Sequence, residues 1–187
     1  KQLFRLRGGL HELSNDISVP CTVTAVWKIL ETYHLRDGLQ NRSVMEPLPR
    51  PRQRFRGCTV TIVNRSTILG RPLAALLALD GATVYSVDET TIIQFYNGGR
   101  MRRCSRQLTD CLRESNIVVT AVPEDDFQLD CDAIRDYTTV IDVSEHSNVD
   151  QEALVQKAGI QLIPNIGKVT VAALEHSLLR LFQQALE

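Results

Sequence analysis

Thr59-Val-Thr-Ile-Val-Asn-Arg-Ser-Thr-Ile-Leu-Gly-Arg-Pro-Leu-Ala-Ala-Leu-Leu77 and, three residues later, Gly81-Ala-Thr-Val-Tyr-Ser-Val-Asp88 set out four local structures in order. The first five residues are all β-branched, the composition of a strand covered on both faces. Asn64-Arg65-Ser66 follows as a polar loop, and Leu69, Leu73, Leu76 and Leu77 then share one stripe of a helix over 67 to 80. Pro72 is tolerated there because the first turn of a helix has amides without intrahelical partners. The second stretch supplies a strand from Thr83 to Val87 that ends on Asp88. A strand, a tight loop opening a helix and a second strand closing on a carboxylate read as the first unit of a dinucleotide-binding fold.

The alternation continues downstream. Short, nearly continuous apolar runs at Ile117 to Ala121, Thr139 to Val143 and Ile160 to Ile163 predict further strands. Helices are expected at 105 to 114, 130 to 136 and 150 to 158, with a last and longest one over 169 to 186. That final helix repeats the logic of the first, with Val171, Leu174, Leu178, Leu181 and Phe182 as its packing stripe. Upstream, Thr22 can cap a helix over 22 to 34 bearing Val23, Val26, Trp27, Ile29 and Leu30, which Asp37-Gly38 closes. Residues 39 to 56, with Pro47, Pro49 and Pro51 among arginines, read as an exposed linker. The expected fold is α/β: a doubly wound, mainly parallel Rossmann-type sheet over 57 to 187, behind an N-terminal extension and helix over 1 to 38.

A chain of 187 residues can bury one sizeable core. Its formal net charge of −1 lacks the basic surplus of a nucleic-acid binder. No apolar run approaches the roughly 20 residues of a membrane span, so neither nucleic acid nor membrane is an expected partner. Cys21, Cys58, Cys104, Cys111 and Cys131 are odd in number and scattered, as are His11, His34, His146 and His176. No metal site is expected, and a reducing cytoplasmic or nuclear compartment fits these cysteines. The chain opens on Lys1 without a secretory pattern and is expected to be part of a longer one.

Several residues could carry chemistry. Asn64, Arg65 and Ser66 stand where such a fold receives a pyrophosphate: helix amides and the helix dipole favour an anion, and Arg65 can add a charge-assisted contact. Only Gly70 of the usual three glycines is present. Asp88 lies 18 residues beyond Gly70, placed to accept both ribose hydroxyl protons and to repel a 2′-phosphate, which favours NAD over NADP. Thr120-Ala121-Val122-Pro123 brings backbone toward the same point. Asn165-Ile166-Gly167-Lys168-Val169-Thr170 superficially suggests a phosphate-binding P-loop, but position 162 is Leu where that motif needs Gly. The arginines at 50 to 56 and at 100 to 106 read as solvated loops. Asp142, Glu145 and His146 could suggest an acid–base group, yet no nucleophile stands in fixed relation to them.

Val63-Asn-Arg-Ser66, Gly70-Arg-Pro72, Gly81-Ala-Thr-Val84, Ile117-Val-Val119, Val140-Ile-Asp-Val143 and Gly167-Lys-Val-Thr170 occur in the order seen in methylenetetrahydrofolate dehydrogenases, which the chain resembles from about residue 20 onward. Pro20-Cys21-Thr22 matches the motif before the helix joining their two domains. Asn64, Ser86-Val87-Asp88 and Gly167-Lys168 lean toward the monofunctional NAD-dependent branch known from fungi. The resemblance implies NAD-dependent oxidation of 5,10-methylenetetrahydrofolate in one-carbon metabolism. It further implies contacts of Arg65 and Ser66 with pyrophosphate or ribose, Val87 and Asp88 with the adenosine ribose, and Thr120, Ala121 and Val122 with the cofactor's middle. Thr170 would lie near the nicotinamide. The folate pocket would belong to a domain preceding Lys1, no catalytic residue is assigned in this chain, and a homodimer on the nucleotide domain follows by analogy. Ser144-Glu145 departs from the Gly-Ile of many relatives, and Val23 replaces a proline. A nucleotide-binding scaffold that lost catalysis is the alternative, and another Rossmann dehydrogenase a third reading.

Overall fold

A computed structural model of the chain describes residues 19–40, 53–96 and 98–186. Helix α1 (Cys21–Gln40) precedes β1 (Thr59–Val63), α2 (Gly70–Leu79) and β2 (Thr83–Val87). Next come β3 (Ile92–Tyr96), β4 (Arg100–Cys104), α3 (Leu108–Glu114) and β5 (Ile117–Thr120). A 3-10 turn (Cys131–Ala133), β6 (Thr139–Asp142), α4 (Gln151–Val155), β7 (Gln161–Pro164) and α5 (Gly167–Leu186) complete the order. The seven strands form one sheet, β4-β3-β2-β1-β5-β6-β7, parallel except for the antiparallel pairs β2–β3 and β3–β4. This is the doubly wound, mainly parallel α/β sheet that the alternation predicts.

The central strands β1, β2, β5 and β6 are buried on both faces, which is why they read as nearly continuous apolar runs. On one face Val60, Ile62, Val84, Ile117 and Val119 pack with Leu73 and Leu77 of α2 and with Val23, Trp27 and Leu30 of α1. On the other, Val118 and Val140 meet Leu112, Ile134 and Leu154. Registers align Val63 with Val87 and Thr120, Thr120 with Asp142, and Asp142 with Pro164. The carboxyl ends of five parallel strands therefore share one edge, from which the candidate residues emerge.

The structure departs from the sequence reading in five places. Helix α1 runs through Asp37-Gly38 to Gln40, because two weak helix formers at its end do not outweigh an apolar face already packed on the sheet. Of the expected linker, residues 41–52 lie outside the described residues; Phe55 is 1% exposed and its N–H donates to Asp80 O at 3.0 Å, so the segment before β1 is folded in. The expected 130 to 136 helix shrinks to a 3-10 turn, since Asp130 caps it and Ile134 returns to extended backbone to bury its side chain. The arginines at 100 to 103 lie on edge strand β4, whose charges suit an edge that must not recruit another strand. Finally, the stripe on α5 is exposed: Leu178 is 56% and Phe182 65% accessible.

Candidate functional site

The loop between β1 and α2 is built by close approach. Asn64 adopts φ +86°, a left-handed turn that asparagine accepts more readily than most residues, and its Nδ2 donates to Ala121 O. A Cβ on Gly70 would stand 2.1 Å from Asn64 O, so only glycine lets the helix start against this turn. Ser66 Oγ accepts from the N–H groups of Leu69 at 3.1 Å and Gly70 at 3.3 Å, and Ser66 O accepts from Arg71 N at 2.9 Å. The N–H groups of Ser66, Thr67 and Ile68 have no intramolecular acceptor among the described residues, leaving donors for an anion at the positive end of α2.

Arg65 turns inward. Its guanidinium donates to Ser86 O at 3.1 Å and to the carbonyl and hydroxyl of Thr91, and Nη1 lies 3.6 Å from Asp88 Oδ2. Its side chain is 7% exposed, whereas that of Asp88 is 44% exposed. Burial pulls the Arg65 pKa below the ordinary arginine value, the Asp88 carboxylate opposes this and Arg71 adds to it. Arg65 thus ties the end of β2 to the loop after β1 and fixes the carboxylate that faces outward.

Beside Asp88 opens a cleft of about 690 Å³, bounded by Asn64, Val87, Glu89 to Ile92, the segment from Arg103 to Leu108, Val122 to Glu124, and Phe127. Its lining includes acidic Asp88, Glu89 and Glu124 and basic Arg103 and Arg106. Arg106 pairs with Glu114 at 2.5 Å and stands over the Tyr85 ring at 5.6 Å. Hydrogen bonding to Arg106 holds the Glu114 carboxylate below its ordinary value. The β3–β4 hairpin therefore supplies one wall, which explains why residues that read as a solvated loop reach the site.

Of the residues proposed from sequence, Asn64, Val87, Asp88 and Val122 line this cleft. Arg65, Ser66, Thr120 and Ala121 do not line it: Ser66 Oγ accepts from the first amides of α2, Arg65 donates to Ser86 O, Thr120 Oγ1 donates to Asn148 and Ala121 O accepts from Asn64. Thr170 sits in the first turn of α5, its Oγ1 donating to Ile166 O at 3.3 Å, and does not line the cleft. Sequence reasoning missed Arg103, Arg106, Thr91 and Asn148. The signal for the arginines was present in the Arg100 to Arg106 cluster; for Asn148 there was none. No group of three or more His, Cys, Asp or Glu suited to a metal occurs among the described residues.

The model of the tetrahydrofolate dehydrogenase/cyclohydrolase NAD(P)-binding domain matches residues 38–186. The chain belongs to this family. A methylenetetrahydrofolate dehydrogenase [NAD(+)] of Dictyostelium discoideum is 42% identical over 169 residues, covering 88% of this chain and 50% of that protein. Its counterpart in Schizosaccharomyces pombe is 38% identical over 170 residues, covering 87% and 50%. The solved NAD-dependent 5,10-methylenetetrahydrofolate dehydrogenase of Saccharomyces cerevisiae superposes with a TM-score of 0.80 at 32% identity, over 97% of this chain and 58% of that one. The chain spans about half the length of the curated relatives it matches.

Proposed function

We propose that this chain is the cofactor-binding half of an NAD-dependent methylenetetrahydrofolate dehydrogenase, which oxidises 5,10-methylenetetrahydrofolate to the 5,10-methenyl form. The observation that carries the reading is Asp88, fixed by Arg65 at 3.6 Å and exposed at the mouth of the cleft. A carboxylate there accepts the two ribose hydroxyl protons of NAD and repels the 2′-phosphate of NADP. Arg65, which stands 3.6 Å from Asp88, is already engaged by Ser86, Thr91 and Asp88. The N–H groups of Ser66 to Ile68 suit the pyrophosphate, and Val87 and Val122 suit an apolar flank for the adenosine.

Bound NAD supplies the hydride acceptor. The substrate carbon lies between two nitrogens whose lone pairs stabilise the cation left behind, so no proton has to be abstracted and no base is required of this chain. The residues here bind, orient and exclude water. We assign the folate contacts to the part of the protein outside this chain. Full-length protein given methylenetetrahydrofolate should form the methenyl product with NAD and far less with NADP. Protein that binds NAD without forming it would instead be the non-catalytic nucleotide module.

A further inference from the structure

The segment after β6 holds a buried polar assembly outside the dinucleotide pattern. Asp142, the last residue of β6, is 3% exposed. Its Oδ1 accepts from the N–H of Ser144 at 3.1 Å and from the Ser144 hydroxyl; Oδ2 accepts from the N–H of Asn148 at 2.9 Å and from the Ser147 hydroxyl at 3.2 Å. A carboxylate is tolerated in such a place only when saturated in this way. The effect is to curl residues 143–148 back on the sheet edge and set Asn148, 1% exposed, beneath the exit of β5.

There the Asn148 amide is used on both sides. Oδ1 accepts from Thr120 Oγ1 and from Val122 N, each at 2.8 Å, while Nδ2 donates to Val122 O at 3.0 Å. Two donors converge on its oxygen and a carbonyl faces its nitrogen, an arrangement that neither a carboxylate nor a hydroxyl reproduces. From the other side Ala121 is held by its N–H to Val63 O at 3.2 Å and by Asn64. Pro123 follows and offers no N–H of its own.

We propose that Asp142 and Asn148 are positioning residues of the nucleotide site, bracing the Thr120–Val122 backbone so that Val122 forms the cleft wall. The proposal rests on the NAD-binding reading of that cleft. Neither residue lines the cleft, and both act through the loop they hold.

The test is a calorimetric titration of the chain with NAD, with melting temperature recorded for every variant. Asn148→Ala and the isosteric Asn148→Asp should each raise Kd roughly tenfold, the loss of one to two buried hydrogen bonds. Val26→Ala trims a fully buried side chain of α1, in the core on the sheet face that does not hold Val122, so it should lower the melting temperature while leaving Kd within about twofold. Folded Asn148 variants that bind NAD as the wild type does, or whose binding weakens no more than that of Val26→Ala, overturn the brace. Should both Asn148 variants fail to fold, Ser144→Ala and Ser147→Ala decide: a rise in Kd of about threefold supports it, and unchanged binding by both rejects it. A wild-type chain that binds no NAD fails the underlying reading instead; hydrogen exchange at the Val122 amide, faster in Asn148→Ala if the brace exists, then tests the brace without ligand.

Discussion

Helices α2 and α5 carry the same kind of sequence and meet different fates. Each follows a parallel strand and presents a stripe of leucines at helical spacing. On α2 the stripe is covered: Leu73 and Leu77 are wholly inaccessible and Leu69 and Leu76 are 5% and 4% exposed. Helix α5 has no buried residue. It lies along α1 and turns the half-buried Thr170, Ala173, Ser177 and Arg180 inward, leaving Leu174, Leu178, Leu181 and Phe182 in the open. Periodicity reports that a face is apolar, and the tertiary structure decides whether anything covers it.

The sharpest way to break this contrast is to truncate matching leucines. Leu73→Ala should cost roughly 2 to 5 kcal/mol in urea unfolding, the range for a fully buried leucine. Gly70→Ala tests the entry to the same helix: its Cβ would strike Asn64 O at 2.1 Å, so overpacking should cost about 1 to 3 kcal/mol and weaken NAD binding together with stability.

Helix α3 extends the contrast to pH. Its Cys111 is fully buried against the sheet, and burial, reinforced by nearby Cys104, pushes the thiol from 9.0 up to about 12. Burial raises Cys58 and Cys131 as well. The folded state thus holds these protons more tightly than the unfolded chain does. Their contribution is complete below pH 9 and is lost as the pH climbs toward 12, so urea midpoints should fall over that window. Cys111→Ala should make the decline shallower; an equally steep decline would remove Cys111 as its source. The smallest effect belongs to α5, where Leu178→Ala should change stability by less than about 0.5 kcal/mol. A loss as large as that of Leu73→Ala would mean that this face is covered after all.

Much of the fold was legible where one local rule dominated. The runs Thr59 to Val63 and Thr83 to Val87 coincide with β1 and β2, because strands buried on both faces must be apolar throughout. The β3–β4 hairpin was not legible: an edge strand of arginines looks like a solvated loop until its partner strand is known. In the site, the position of Asp88 could be read from its spacing. The inward course of Arg65 could not, since sequence places a guanidinium without giving its direction. Asn148 was invisible for a related reason: its partners, Thr120 and Val122, lie 28 and 26 residues away, and no spacing rule links them.

Asp88 is the residue we propose to select the dinucleotide, and a calorimetric titration of this chain with NAD and with NADP, repeated on Asp88→Ser, tests that role most directly. The wild type should bind NAD at least about tenfold more tightly than NADP, a difference of about 1.4 kcal/mol, and Asp88→Ser should narrow that ratio mainly by improving NADP binding. Equal affinity of the wild type for the two, or a ratio that Asp88→Ser leaves unchanged, would contradict it.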